Sequence, residues 1–355
     1  MEITIETISP HLRIHTIIDG TLISSRGYSI FKSNDFGKSW FLSGTLPVSG
    51  YKKILSKSQT ISRALRIGIH QIKQIHNGKI LIACDSGFFL SDNALSDFKQ
   101  INLNSRFFQL LDNNICVTPR FTYFGEYTLN LKKNEVNIFR TSDGENWEII
   151  YSFPKKSIKH IHLLQFDPYT EKIWFSTGDA DSECLFGYAN DDFSDIKIVG
   201  KNDQDWRCLE LIFTPEKVYW GTDNPNGQNW LISLDRHTHT LQKIARFNGP
   251  VYNLKRFFSG YIVMTATEGG TGERDNRAHV LFASDLEKSP WEDGISYEKD
   301  WMPLIFGFGR LYFAADYKNL LFLYGLALKN IGGKSIVLSF NEPANVREQP
   351  IKDKT

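Results

Sequence analysis

One phrase returns seven times along this chain of 355 residues, and its period constrains the fold more than any single residue does. The phrase is a polar turn, about four β-prone residues, small residues and then a polar group. It reads KILIACDSG at 79–87, KIWFSTGDA at 172–180, KVYWGTDNP at 217–225 and RLYFAADYK at 310–318. Weaker copies are TLISSRGYS at 21–29, NICVTPRFT at 114–122 and YIVMTATEG at 261–269. Successive starts lie 58, 35, 58, 45, 44 and 49 residues apart, a mean near 48. That is the size of one four-stranded propeller blade. Another apolar run precedes several copies, as in GIHQIKQI, KHIHLLQF, RCLELIF and VYNLKRFF. Strand, turn, strand at this period, with no long helical pattern, reads as all-β. The segment most like a helix, SQTISRALRIGIHQI, is short.

The expected fold is therefore a seven-bladed β-propeller of four-stranded antiparallel blades, with six blades as the alternative. Such a ring leaves only short sheet edges. It must also close, and EITIETI at 2–8 is expected to add the outer strand to the blade containing SIVLSF at 335–340. One domain over 1–345 follows, with a polar tail over 346–355.

Composition agrees. Aromatic residues make up 14% of the chain, which favours strands. Forty-one basic residues balance 40 acidic ones, giving a net charge of +1 and no field for nucleic acid. No run of 18 or more apolar residues exists, so no membrane span is expected. The N-terminus lacks a basic, then apolar, leader pattern, and the expected location is cytoplasmic. Cys84, Cys116, Cys184 and Cys208 have no CxxC spacing and read as core thiols.

A second motif lies at SNDFGKSW, 33–40, with a shorter copy at TSDGENW, 141–147, and a degenerate one without glycine at ASDLEKSPW, 283–291. The aspartate accepts backbone N–H groups in the turn, glycine supplies a positive φ, and tryptophan packs beneath. In these boxes the chain resembles the Asp-box, or bacterial neuraminidase repeat, propellers. The resemblance implies that Asp35, Asp143 and Asp285 are scaffold, between third and fourth strands and away from the active face.

In a propeller, the loops leaving second strands and entering first strands open on one face. Ends of second strands are expected to bring Asp85, Arg120, Asp179, Asp223, Glu268 and Asp316 there. Starts of first strands add His70, His160, His162, Arg207 and Tyr252, and RFTYFGEY adds Glu126 and Tyr127. His160 and His162 alternate with Ile161 and so share one side of their strand. His237 and His239, in DRHTHT, read instead as a solvated outer turn.

Arginine pairs carboxylates, histidine takes protons near neutral pH, and tyrosine protonates a leaving oxygen. The set fits β-elimination on a uronic acid. Arg207 would neutralise the sugar carboxylate, His160 or His162 would be the base, and Tyr252 the acid. Arg120, Glu126, Asp179, Asp223 and Glu268 would bind substrate. The pattern is similar to that of propeller polysaccharide and oligosaccharide lyases. A sialidase-like hydrolase is the alternative, with Arg120, Arg140 and Arg207 as a carboxylate clamp and Glu126, Tyr252 and Asp179 as the reacting groups. Against it, the Arg-Ile-Pro motif is missing. A non-catalytic glycan- or protein-binding propeller is the third reading. No cofactor is assigned from the sequence, and His160, His162 and a carboxylate suit a divalent metal ion. The expected partner is an acidic carbohydrate.

Overall fold

A computed structural model describes residues 2–103 and 112–341, and the polar tail at 346–355 lies outside them. The chain is all-β: seven antiparallel sheets of four strands each form a seven-bladed propeller, which excludes the six-bladed alternative. In chain order the blades span 13–45, 69–101, 115–153, 161–201, 208–247, 251–298 and 310–341, numbered here 1 to 7. Blade 7 takes its outer strand from the N-terminus. Glu2–Pro10 pairs antiparallel with Lys334–Asn341, closing the ring where the sequence places the closure.

Position within a blade explains the sequence pattern. The second strands are mostly buried, Ile80–Cys84 along its whole length, because each face of the blade packs on a neighbouring blade. They read as continuous apolar runs rather than as alternation. The outer strands, such as Phe41–Thr45 and Leu241–Phe247, are mostly exposed. Their sequences are correspondingly mixed.

The core is distributed round the ring. Among the described residues there are seven apolar clusters, one at each junction between adjacent blades. At the junction of blades 4 and 5, for example, Phe186, Trp220, Leu163 and Ile232 are all but inaccessible. Blades 5 and 6 approach closely. A Cβ on Gly221 would lie 2.2 Å from Cγ1 of Val251, so only glycine fits. All four cysteines are buried and unbridged. No described helix is long and apolar enough to cross a membrane.

Two repeat copies sit in a different strand from the one expected. Residues 114–122 and 310–318 carry the first strands of their blades, Ile115–Val117 and Arg310–Tyr317, not the second. Arg120 therefore lies in the hairpin between first and second strands, and Asp316 near the same hairpin of blade 7. Both belong to the face opposite the one expected for them.

Two short helices, Gly50–Leu55 and Gln59–Leu65, fill the connection from blade 1 to blade 2. Ser58 caps the second by accepting from the Ile61 N–H, and Arg66 stops it in the left-handed conformation at φ 55°. This segment and the connection 299–309 crown one face of the ring.

Candidate functional site

That face holds a cavity of about 580 Å³, on the side where blades 7, 1 and 2 meet. Six cationic side chains line it, Arg13, Arg26, Lys57, Arg63, Arg66 and Arg310, against one carboxylate, Asp300. The crossing connections are clasped together. Arg63 pairs with Asp300 and donates from Nε to the Phe306 carbonyl at 2.8 Å, while Arg66 donates to the Ile305 carbonyl at 3.0 Å. Several guanidiniums lie over rings: Arg13 is 4.4 Å and Arg310 4.0 Å from the centre of the Tyr312 ring, and Arg310 is 5.0 Å from that of Tyr252. At the rim, Trp301 is 85% exposed.

His70 forms part of the wall. Its Nε2 donates to the Arg66 carbonyl at 2.9 Å, and its buried Nδ1 has no partner. Burial pushes its pKa down to about 4, so the ring is neutral at neutral pH, with a bare nitrogen. Tyr127 and Tyr252 also line the cavity. The Tyr252 hydroxyl donates to Oε1 of Glu268 at 2.6 Å. Burial, then the charge of Glu268, raises the Tyr252 pKa well above its ordinary value. Burial and the charge of Asp223 lift Glu268 to about 8.

Behind Tyr127 lies the second half of the site. Its ring lies against His160, tilted by 32° and 4.2 Å between centres. Nε2 of His160 is 2.8 Å from Nε2 of His162, and these atoms lie 3.2 and 3.3 Å from Oδ1 of Asp179. Gly178, at φ 100°, makes the turn that presents Asp179; a Cβ there would meet the Glu183 backbone at 2.5 Å. Lys159 donates to the other oxygen of Asp179 at 2.5 Å. Burial would raise the Asp179 pKa, but the two imidazoles outweigh it and hold it far below the usual carboxylate range. Burial lowers His162 to about 4.

Arg207 is committed within this cluster. It donates from Nε to Asp223 at 3.0 Å, its Nη2 lies 3.0 Å from the same oxygen, and its Nη1 donates to the Asp179 carbonyl at 3.3 Å. Burial opposes its charge, yet Asp223, Glu268 and Asp179 keep it protonated.

The structure thus gathers His160, His162, Arg207, Tyr252, Asp179, Asp223 and Glu268 on one face. Glu126 follows the second strand of blade 3, Thr122–Gly125, but its carboxylate accepts the Asn137 N–H at 2.8 Å. Asp85 is held by Tyr28, Lys52 and the Gly68 N–H at 2.6–2.8 Å. Arg120 does not join the site. It pairs with Asp191 on the opposite face, where Arg140 binds Glu148, so the three arginines of the sialidase arrangement do not converge. The sequence reading missed Arg13, Arg63, Arg66, Arg310 and Trp301, which come from connections outside the repeated phrase or, like Arg13 and Arg310, open an inner strand. The one available signal was SRALR, a basic pair three residues apart on a short helix.

The turns at 33–40, 141–147 and 283–291 lie between third and fourth strands, on the face away from the cavity. Asp35 accepts from Ser39 N–H at 2.9 Å, and Asp143 from Glu145 and Asn146 N–H at 2.7 and 2.8 Å.

No family model matches the chain, and no curated protein does. Solved structures share the fold. The AfRom2 CNH domain is similar over 96% of this chain and 99% of its own, with a TM-score of 0.58 and 7% identity. YCF48 from Cyanidioschyzon merolae is similar over 94% of this chain and 98% of its own, with a TM-score of 0.56 and 10% identity. The extracellular domain of the putative one component system BT4673 from B. thetaiotaomicron matches 96% of this chain with 40% of its own, with a TM-score of 0.53 and 12% identity. At such identities the likeness concerns the fold alone.

Proposed function

We propose that the crowned face binds an acidic oligosaccharide of uronic-acid type and cleaves it by β-elimination. One observation carries this reading: a cavity of about 580 Å³ with six cationic side chains against one carboxylate, walled in part by aromatic rings. Guanidiniums suit carboxylates, and aromatic faces suit the apolar faces of sugars.

The chemistry follows from the groups present. Arg66 and Arg310 meet the substrate carboxylate and stabilise the negative charge that grows when the adjacent C–H ionises. His70 is the base: its Nε2 is engaged, so the proton goes to Nδ1, and this requires the ring to turn its buried Nδ1 toward the substrate. Tyr252, protonated at neutral pH, gives its proton to the departing glycosidic oxygen. One C–H and one C–O bond break, a C=C bond forms, and the proton gained by His70 is returned through water as Tyr252 is reprotonated. Arg207 does not clamp substrate in this account, because Asp223 already holds it.

The test mixes the protein with uronic-acid and neutral oligosaccharides, following binding by calorimetry and the conjugated product by near-ultraviolet absorbance. Tight binding of acidic chains only, and a rise in absorbance that His70→Ala abolishes, are expected. Equal affinity for neutral chains overturns the acidic-ligand reading. Acid-selective binding without absorbance removes the elimination step and leaves a binding propeller.

A further inference from the structure

We propose that His160, His162 and Asp179 hold one divalent transition-metal ion. The inference stands apart from the cavity's ligand, since it rests on a different cluster and is tested without sugar.

The reasoning starts from hydrogen placement. Nδ1 of His160 faces the Thr128 carbonyl at 2.9 Å. A carbonyl only accepts, so this nitrogen carries the hydrogen, and the neutral ring has a bare Nε2. Nδ1 of His162 is buried without a hydrogen-bond partner, and Asp223, at 3.8 Å, offers it a carboxylate. A hydrogen on that nitrogen leaves a second bare Nε2. The two bare nitrogens then face each other at 2.8 Å, with Oδ1 of Asp179 3.2 and 3.3 Å away. With both hydrogens on Nδ1, three lone pairs converge on one point, an arrangement that a bound cation satisfies.

The dimensions suit a metal ion. Bonds of about 2.0–2.2 Å place tetrahedral ligand atoms roughly 3.3–3.6 Å apart. The two Asp179 distances nearly match, and the nitrogens need part by only about half an ångström. Outer partners are also in place. Thr128 orients one imidazole and Asp223 faces the other, the arrangement that fixes tautomers at metal sites. Oδ1 of Asp223 is itself buried and unpartnered, leaving it room to turn toward His162. Lys159 takes Oδ2 of Asp179, and Arg207 comes no nearer to Oδ1 than 3.6 Å, so the third ligand atom is left to the ion.

Two imidazoles and one carboxylate select a borderline ion such as Zn²⁺, with the harder Mn²⁺ weaker and Mg²⁺ weakest. Three protein ligands leave a coordination position for water or an incoming oxygen.

The experiment titrates chelator-treated protein with Zn²⁺, Mn²⁺ and Mg²⁺ by calorimetry, and with Co²⁺ by visible absorption. One Zn²⁺ per chain, weaker Mn²⁺, no Mg²⁺ at the same concentrations and a Co²⁺ spectrum of nitrogen–oxygen type are expected. His162→Ala should weaken Zn²⁺ at least a hundredfold. Asp179→Asn, nearly isosteric and part-exposed, gives the same test should His162→Ala fail to fold. Asp223→Asn, not a ligand, should cost about 10–100-fold. The double change His237→Ala with His239→Ala, on the far face, should change nothing. Absence of a bound equivalent overturns the site. So does Zn²⁺ binding that survives Asp179→Asn, or that disappears with the His237 and His239 pair.

Discussion

At the scale of single residues, burial decides what the polar groups can do. Glu268 has a folded pKa of about 8 against an ordinary 4.5, raised by burial and then by Asp223. The folded state therefore binds the extra proton between those values, and unfolding releases it. Stability falls as pH rises from 4.5 towards 8 and is level beyond, where both states are ionised. Urea unfolding at pH 5.5 and 8.5 should show a loss of up to about 3 kcal/mol that Glu268→Gln removes. An unchanged pH slope in Glu268→Gln would show that the carboxyl is ionised throughout. Trp301 is the opposite case. At 85% exposed it adds little to the fold, so Trp301→Ala should leave the melting temperature unchanged. Binding of an acidic oligosaccharide should nevertheless weaken about fivefold, the worth of roughly 1 kcal/mol of ring contact. The residue scale is also where sequence reading fell short. His160 and His162 were legible because strand alternation alone puts them together. Arg207 was legible in position but not in role, because its neighbour Asp223 is set by a different loop. Arg63 and Arg66 reach the cavity only through tertiary packing of a connection with no β-pattern.

At the scale of the element, the turn and the latch carry separate loads. Asp143 gathers N–H groups of Glu145 and Asn146 and the side chain of Asn146 in a turn on the far face. Asp143→Ala should lower the melting temperature by a few degrees and leave ligand binding intact. A variant that binds ten times more weakly without losing stability would contradict its placement as scaffold. The outer strand Glu2–Pro10 covers the edge of Lys334–Asn341 along its length. Deleting residues 2–10 exposes a paired edge, and the truncated chain should aggregate on gel filtration where the full chain does not. The ring was readable from the period, which favoured seven units over six, and its closure from the β-pattern of residues 2–8. The phase was not. An inner strand and a second strand both read as an apolar run ending in a polar residue. Ile115–Val117 is only three residues long, too short to be told from its neighbour. That ambiguity carried Arg120 and Asp316 to the wrong face.

At the scale of the whole molecule, a net charge of +1 hides a strong asymmetry. The cavity gathers six cationic side chains around one carboxylate, while the His160–Asp179 cluster alongside sets Asp179 and Asp223 against Lys159 and Arg207. A chain so nearly neutral has little long-range field, so attraction of an acidic ligand must come from the cavity itself. This sets the salt dependence. Raising ionic strength from about 0.01 to about 0.15 M shortens the screening length from about 30 to about 8 Å. Charges around a half-open cavity are screened only in part. Affinity for an acidic oligosaccharide should therefore fall by roughly three- to tenfold over that range, and affinity for a neutral one not at all. Arg66→Ala should lower the affinity at low salt and flatten the slope, because one of the six cations is gone. If Arg66→Ala keeps the full slope, the charge that the ligand senses lies elsewhere on the ring, and the cavity between blades 7, 1 and 2 is not its seat.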